Sequence, residues 1–277
     1  MSQVFLSPDN DPEMAKAMDQ ARSTFRFFWR ELSWERRRII PGLDLACVKV
    51  PFSDPPDPTG ATDSPQVEQM WIDQVEFDGR QVTGILINTP KWLKSVKDGD
   101  SNQVPLSGIS DWMYVVAGRV YGGFTVHALR ARMSRSERAA HDRAWGLEFG
   151  DPLAPEVVPK KWFEVKGKKS VWQLLTGSAP SLPDHWEELE HPMADNMVES
   201  LEKHVAQHPE QLANADERGF TLLHQLALAG ATRCCDTLLR LGADPRATTH
   251  EGFSAMRLAE ILGWTSTVEL FRSRGAM

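Results

Sequence analysis

Two short stretches near the C-terminal end of the chain repeat at a distance of 33 residues. Gly219-Phe220-Thr221-Leu222-Leu223-His224 returns as Gly252-Phe253-Ser254-Ala255-Met256-Arg257. A period of this length marks a stack of supersecondary units, because one unit alone cannot bury its hydrophobic face and neighbours must cover it. Such a stack is read as a surface for gripping another molecule. The period therefore constrains both the architecture of this region and the class of function it serves.

The positions between the two glycines follow one plan. Thr221-Leu222-Leu223-His224, Ala227, Gly230, Leu238-Leu239 and Gly242-Ala243-Asp244 are answered by Ser254, Met256, Ala259, Gly263, Val268, Phe271 and Gly275-Ala276. Thr221 and Ser254 are placed to cap a first helix. Gly230 and Gly263 suit the turn between helices, and Gly242 ends the second helix. This pattern resembles the ankyrin repeat, with its Thr-Pro-Leu-His turn and Gly-Ala-Asp exit. Leu222 and Ala255 replace the family's proline, and Arg257 replaces its histidine. The helical run 197–205 and the following His208-Pro209 resemble the end of a degenerate first repeat. Residues 193–277 are thus expected to form an all-α ankyrin repeat module, one degenerate plus two full repeats. About three repeats are needed for a continuous core, so the stack is expected to lean on another part of the chain.

The 277 residues allow two domains. The net charge of −7 is uneven: 15 acidic and 8 basic residues lie from Asp184 onward. Acidity disfavours nucleic acid as a partner, which needs a basic footprint, and it suits a basic protein surface. No apolar run is long enough to span a bilayer, and the first residues do not read as a secretory signal. Cys47, Cys234 and Cys235 form no disulfide framework or metal spacing, and one of the adjacent pair is expected to face the core. The expected location is the cytoplasm, with no membrane partner.

Residues 1–150 read as an α+β domain: a small antiparallel sheet with flanking helices. Met14, Ala17, Ala21, Phe25, Phe28 and Leu32 recur at helical spacing. Asp78-Gly79 between two alternating runs signals a hairpin, with Trp71, Val75 and Phe77 expected on one face of its first strand. Residues 104–106 and 112–116 read as strands, Ala117-Gly118 as a turn, and 120–124 as another strand. Ser134 and Glu137 read as a capping box opening a helix to about Trp145. Trp71-Ile72, Gly84-Ile85-Leu86, Gly99-Asp100, Pro105-Leu106, Ile109-Ser110-Asp111-Trp112-Met113-Tyr114, Gly122-Gly123-Phe124-Thr125 and Leu129-Arg130-Ala131-Arg132-Met133-Ser134 run in the order of a YegJ-like bacterial domain of unknown function. The resemblance covers roughly residues 14–145 and implies a bacterial origin and a fold, with no catalytic residue. Phe124 stands where that family more often has tyrosine. Such domains, like ankyrin proteins, are associated with bacterial toxin–immunity loci.

Candidates for chemistry each have a plainer reading. Asp98, Asp100 and Asp111 invite a carboxylate cluster, but Asp98-Gly99-Asp100 is also a turn, and Asp111 is placed to hydrogen-bond nearby amides. His127 reads as a histidine after a strand. His204 and His208 stand one helical turn apart, a metal-compatible spacing without the accompanying motif. Gly122-Gly123 reads as a bulge or close contact rather than a phosphate loop, and Arg36-Arg37-Arg38 as a solvated run. Trp29, Trp71, Trp112 and Trp145 read as core. The connector 151–192 carries Trp162, Trp172 and Trp186, which either pin the linker or anchor an interface.

The expectation is a non-enzymatic, cofactor-free binding protein with no catalytic or metal site, an immunity protein that neutralises a cognate toxin with a basic surface, for instance a nuclease. Its binding residues are expected to be Glu187, Glu188, Glu190, Asp216, Glu217, Phe220, Glu251 and Phe253. An adaptor joining two cellular proteins is the alternative. An enzyme using Asp98, Asp100, Asp111 and Tyr114 is a third reading.

Overall fold

A computed structural model describes residues 11–55, 67–160 and 186–275. The connector's Trp162 and Trp172 and most of the loop 54–65 lie outside the described residues. The chain divides into two compact units: the chain up to Phe28 with Arg38–Val157, and Trp29–Arg37 with the chain from Val158 onward.

The first unit opens with most of helix α1 (Pro12–Glu35). Six antiparallel strands follow: β1 (Leu45–Ser53), β2 (Val67–Phe77), β3 (Gln81–Leu86), β4 (Ser101–Pro105), β5 (Asp111–Val116) and β6 (Arg119–Gly122). Their order across the sheet is β4-β3-β2-β1-β5-β6. Helix α2 (Phe124–Ala131) and helix α3 (Arg135–Trp145) come next.

Helix α1 covers one face of the sheet. Phe25 meets Phe77 edge-on at 5.4 Å, Phe28 lies 5.9 Å from Trp112, and Trp112 Nε1 donates to the Ala21 carbonyl at 2.8 Å. The other face holds Cys47, Trp71, Met113, Val115 and Val120 under Val126 of α2, Phe149 and the partly buried Trp145 of α3. Trp71 and Phe77 were expected to share a face and do not. The β2–β3 register shifts between Asp73 and Glu76, where Gln74 has φ +47°, and the extra residue of a bulge reverses the alternation.

The hairpin at Asp78-Gly79, the Ala117-Gly118 turn and the Ser134–Glu137 capping box stand as read. Helix α2 was not read from the sequence: residues beyond 122 looked like a continuing strand. Gly122, at φ +79°, passes against Trp112, and a Cβ there would lie 2.4 Å from that indole ring.

The described part of the second unit is helical. After a 3-10 turn (Trp186–Glu188) come α4 (Ala194–Gln207), another 3-10 turn (Pro209–Leu212), α5 (Leu222–Leu228), α6 (Thr232–Arg240), α7 (Ala255–Leu262) and α8 (Thr265–Ser273). α5 packs on α7, and α4 and α8 both pack on α6. The period reappears in the backbone: the bridges Ala215–Thr221 and Thr248–Ser254 lie 33 residues apart. His224 ties the units of this period together. Its Nδ1 accepts from the Thr221 N–H at 3.2 Å, and its Nε2 reaches the Ala247 carbonyl at 3.0 Å. Arg257, in the equivalent place, instead pairs with Glu260 at 3.0 Å. Cys234 and Cys235 are both buried, where one was expected to be.

The last turns of α1 belong to this second unit. Arg30 and Glu31 are each 1% exposed. Arg30 Nη1 donates to the Leu189 carbonyl at 2.9 Å, and its guanidinium lies 5.8 Å from the Trp264 ring. Glu31 Oε2 lies 3.3 Å from His191 Nε2, and His191 stacks on Trp34 at 5.2 Å. Arg37, read as solvated, donates to the Ser33 carbonyl and to Gln225 Oε1.

Candidate protein-binding site

The two repeat turns are built alike and lie side by side. In the first, Asp216 Oδ1 accepts from the Arg218 and Phe220 amides at 2.9 and 2.8 Å, and Gly219 N–H closes on the Asp216 carbonyl. In the second, Thr249 takes the place of Asp216, its Oγ1 accepting from the Phe253 amide at 3.2 Å. The His250 amide donates to the Arg218 carbonyl at 2.9 Å, which joins the turns. A short side chain that accepts from amides two and four residues on fixes a tight turn, so the intervening side chains point to solvent.

This construction sorts the expected binding residues. Glu217 and Glu251 are exposed at the tips, and Glu187 and Glu188 are exposed on their 3-10 turn. Asp216 is exposed, with Oδ1 committed to its own turn. Glu190 is folded onto the second unit: Oε1 accepts from the Arg233 amide at 2.9 Å, and burial raises its pKa despite that bond and the Arg233 charge. Phe220 is buried at 4% exposure, and Phe253 is half-buried. The Phe220 ring lies edge-on to His224 at 6.0 Å and under the Arg218 guanidinium. Arg218 and His250 share the exposed tips and were not singled out from the sequence. The repeat period was the signal that locates them, since each occupies the tip of its own turn.

Of the carboxylates weighed for chemistry in the first unit, Asp111 and Asp100 hold backbone amides, and Asp98 is exposed. Asp111 is fully buried and accepts from the amides of Trp112, Phe124 and Thr125 at 2.8, 3.0 and 2.7 Å, and from the Thr125 hydroxyl at 2.5 Å. It thereby caps α2, taking amides that no helical carbonyl can reach. Lys49 Nζ donates to the same hydroxyl at 2.9 Å and lies 5.0 Å from the Trp71 ring. Burial raises the Asp111 pKa, opposed by Lys49 and by the bonds from Thr125 and Trp112, and burial lowers that of Lys49. Tyr114 is buried, with its hydroxyl on the Val157 carbonyl at 2.8 Å. Asp100 accepts from the Lys97 amide within its own turn. Among the described residues no group of three or more His, Cys, Asp or Glu side chains is placed to hold a metal ion.

Comparison with known proteins matches this architecture. Residues 11–149 match a family described as uncharacterized proteins conserved in bacteria (DUF2314). The chain belongs to that family. It is 39% identical over 273 residues to a putative ankyrin repeat protein of Neisseria meningitidis serogroup B, spanning 99% of this chain and 98% of that one. It is 29% identical over 76 residues to the uncharacterized protein YegJ of Escherichia coli K12, spanning 27% of this chain and 50% of YegJ. Both resemblances drawn from the sequence therefore stand. No solved structure matches the chain. No helix of the described residues is long and apolar enough to cross a membrane.

Proposed function

We propose that the chain is a protein-binding protein in which a YegJ-like α+β domain (residues 1–150) is joined by a connector (151–192) to an ankyrin repeat module (193–277), and that it acts as an immunity protein by occluding a cognate toxin. One observation carries the reading. The two adjoining turns present Glu217 and Glu251 to solvent on backbones held by Asp216 and Thr249. Glu187 and Glu188 add charge on an exposed turn of the same unit. Carboxylates on a rigid scaffold favour a basic partner by steering its approach and need little ordering on binding. A nuclease, which carries positive charge to hold its substrate, presents such a surface. The cytoplasm is the location that suits this role. The bound toxin would lose access to its target without any chemistry by this chain.

The experiment is to purify the tagged chain from its native bacterium and measure how it binds the protein recovered with it in equal amount. Glu217→Lys with Glu251→Lys should weaken that binding at least tenfold, as should Glu187→Lys with Glu188→Lys, and the loss should shrink as salt is raised. A partner that is no toxin, or unchanged affinity for both double variants, overturns the reading.

A further inference from the structure

The two edges of the sheet are treated differently. The β6 edge is closed by the chain itself: Val120 N–H donates to the Glu148 carbonyl, Glu148 N–H to Gly118, and Gly122 N–H to Glu156, at 2.9, 2.8 and 2.7 Å. Among the described residues, the β4 edge pairs only with β3. The Leu86 amide donates to the Asp100 carbonyl and the Leu106 amide to the Arg80 carbonyl. Residues an even number of steps between them, Asn102 and Val104, therefore also turn their main chain toward β3. Ser101 and Gln103 turn theirs outward, and both are exposed.

We propose that this edge is a self-association surface, on which β4 of a second copy pairs antiparallel about a two-fold axis through Asn102. Three observations select that occupant and that register. Pro105 lacks an N–H, so a register that sets it opposite Ser101 leaves the Ser101 carbonyl without a donor. Pairing about Asn102 sets Ser101 against the second copy's Gln103, and each outward amide meets a carbonyl in four main-chain bonds. The strand carries no charged side chain, and Asp100 falls opposite Val104 rather than another carboxylate, so no like charges meet. Asn102 itself lies on the axis. Its Oδ1 is buried and has no hydrogen-bond partner among the described residues, and in this register the second copy's Asn102 amide, which carries N–H donors, stands opposite it. An edge of two outward residues is too short to order a loose peptide, whereas a second copy brings a strand already ordered. The resulting interface is isologous.

Sedimentation velocity of the full chain from about 1 to 100 µM tests this. The expected result is a monomer–dimer equilibrium. Gln103→Pro removes an outward amide and spares the bonds to β3, so it should abolish the dimer. Ser101→Lys with Gln103→Lys sets like charges opposite each other across the axis and should weaken association at least tenfold. Ser101→Glu with Gln103→Lys sets opposite charges together and should keep or strengthen it. A wild-type chain that stays monomeric overturns the proposal. So does a dimer that survives Gln103→Pro, or one that responds alike to the two charged pairs.

Discussion

At the scale of single residues, the buried polar groups show what the fold demands of its chemistry. His127 is 1% exposed; Arg130 donates to its Nδ1 at 3.3 Å, while Asp142 holds Arg130 through two bonds at 2.9 and 2.7 Å. Burial, with the Arg130 charge beside it, lowers the His127 pKa to about 4. An unfolded histidine titrates near 6.5, so between about 6.5 and 4 the unfolded chain binds a proton that the folded chain refuses. Stability from this residue is complete above about 6.5, falls as the pH drops toward 4, and levels off below. At pH 5 the cost approaches about 2 kcal/mol. Urea unfolding of the wild type and His127→Gln at pH 7.5 and pH 5 measures it: the wild type should lose more stability between the two, and equal losses would assign the acid sensitivity elsewhere. Gly122 sets a steric limit. With its φ of +79° and a Cβ position 2.4 Å from Trp112, Gly122→Ala must move a fully buried indole ring of the sheet. It should lower stability by roughly 3 kcal/mol or prevent folding, as thermal unfolding or soluble yield would report.

At the scale of elements, most of the first unit was legible because its signals are local. The helical spacing of Met14 to Phe28, the Asp78-Gly79 turn and the Ser134–Glu137 box lie within a few residues of what they determine. Helix α2 was not legible for a physical reason. Its N-terminus is capped by Asp111, 13 residues upstream on β5, and Gly123 in the capping position supplies no side-chain acceptor. The run from Phe124 to Val126 is aromatic and β-branched, which favours strand when read alone. The β2 bulge was hidden likewise, since Gln74 carries no glycine-like signal. Asp111→Ala tests the remote cap. It leaves three buried amides without an acceptor and Lys49 without its nearest carboxylate, and should cost about 3–5 kcal/mol. Hydrogen exchange should show the loss first at the amides of Phe124 and Thr125. Protection there equal to the wild type would mean that Asp111 does not hold the helix.

At the scale of the whole molecule, the 33-residue period raised the expectation that the stack leans on another part of the chain, and the end of α1, which clusters with the second unit, is the element that would serve. Nothing local in the sequence marks it, because a charged Arg30-Glu31 pair on an amphipathic helix carries no sign of its own burial. Their partners, Leu189, His191 and Trp264, stand some 160 to 230 positions away. Glu31 is buried beside the Arg30 guanidinium, with Nε 3.5 Å from Oε1, and a charge buried in this way is tolerated only next to an opposite one. This packing also fits the spacing near Gly230. A Cβ there would lie 2.4 Å from the Trp264 ring, whose Nε1 donates to the Leu228 carbonyl at 3.0 Å and whose face lies near Arg30. The second unit should therefore not fold without residues 29–37. A fragment of residues 186–277 should lack cooperative unfolding by circular dichroism. In the full chain, Trp34→Ala, which removes the ring stacked on His191, should destabilise the second unit by about 3–5 kcal/mol. Native-state hydrogen exchange resolves where the loss falls: protection should drop across α5 to α8 while β1 and β5 keep theirs. If the isolated fragment unfolds cooperatively and Trp34→Ala leaves α5 to α8 protected, then the repeats stand alone and the end of α1 is a passenger.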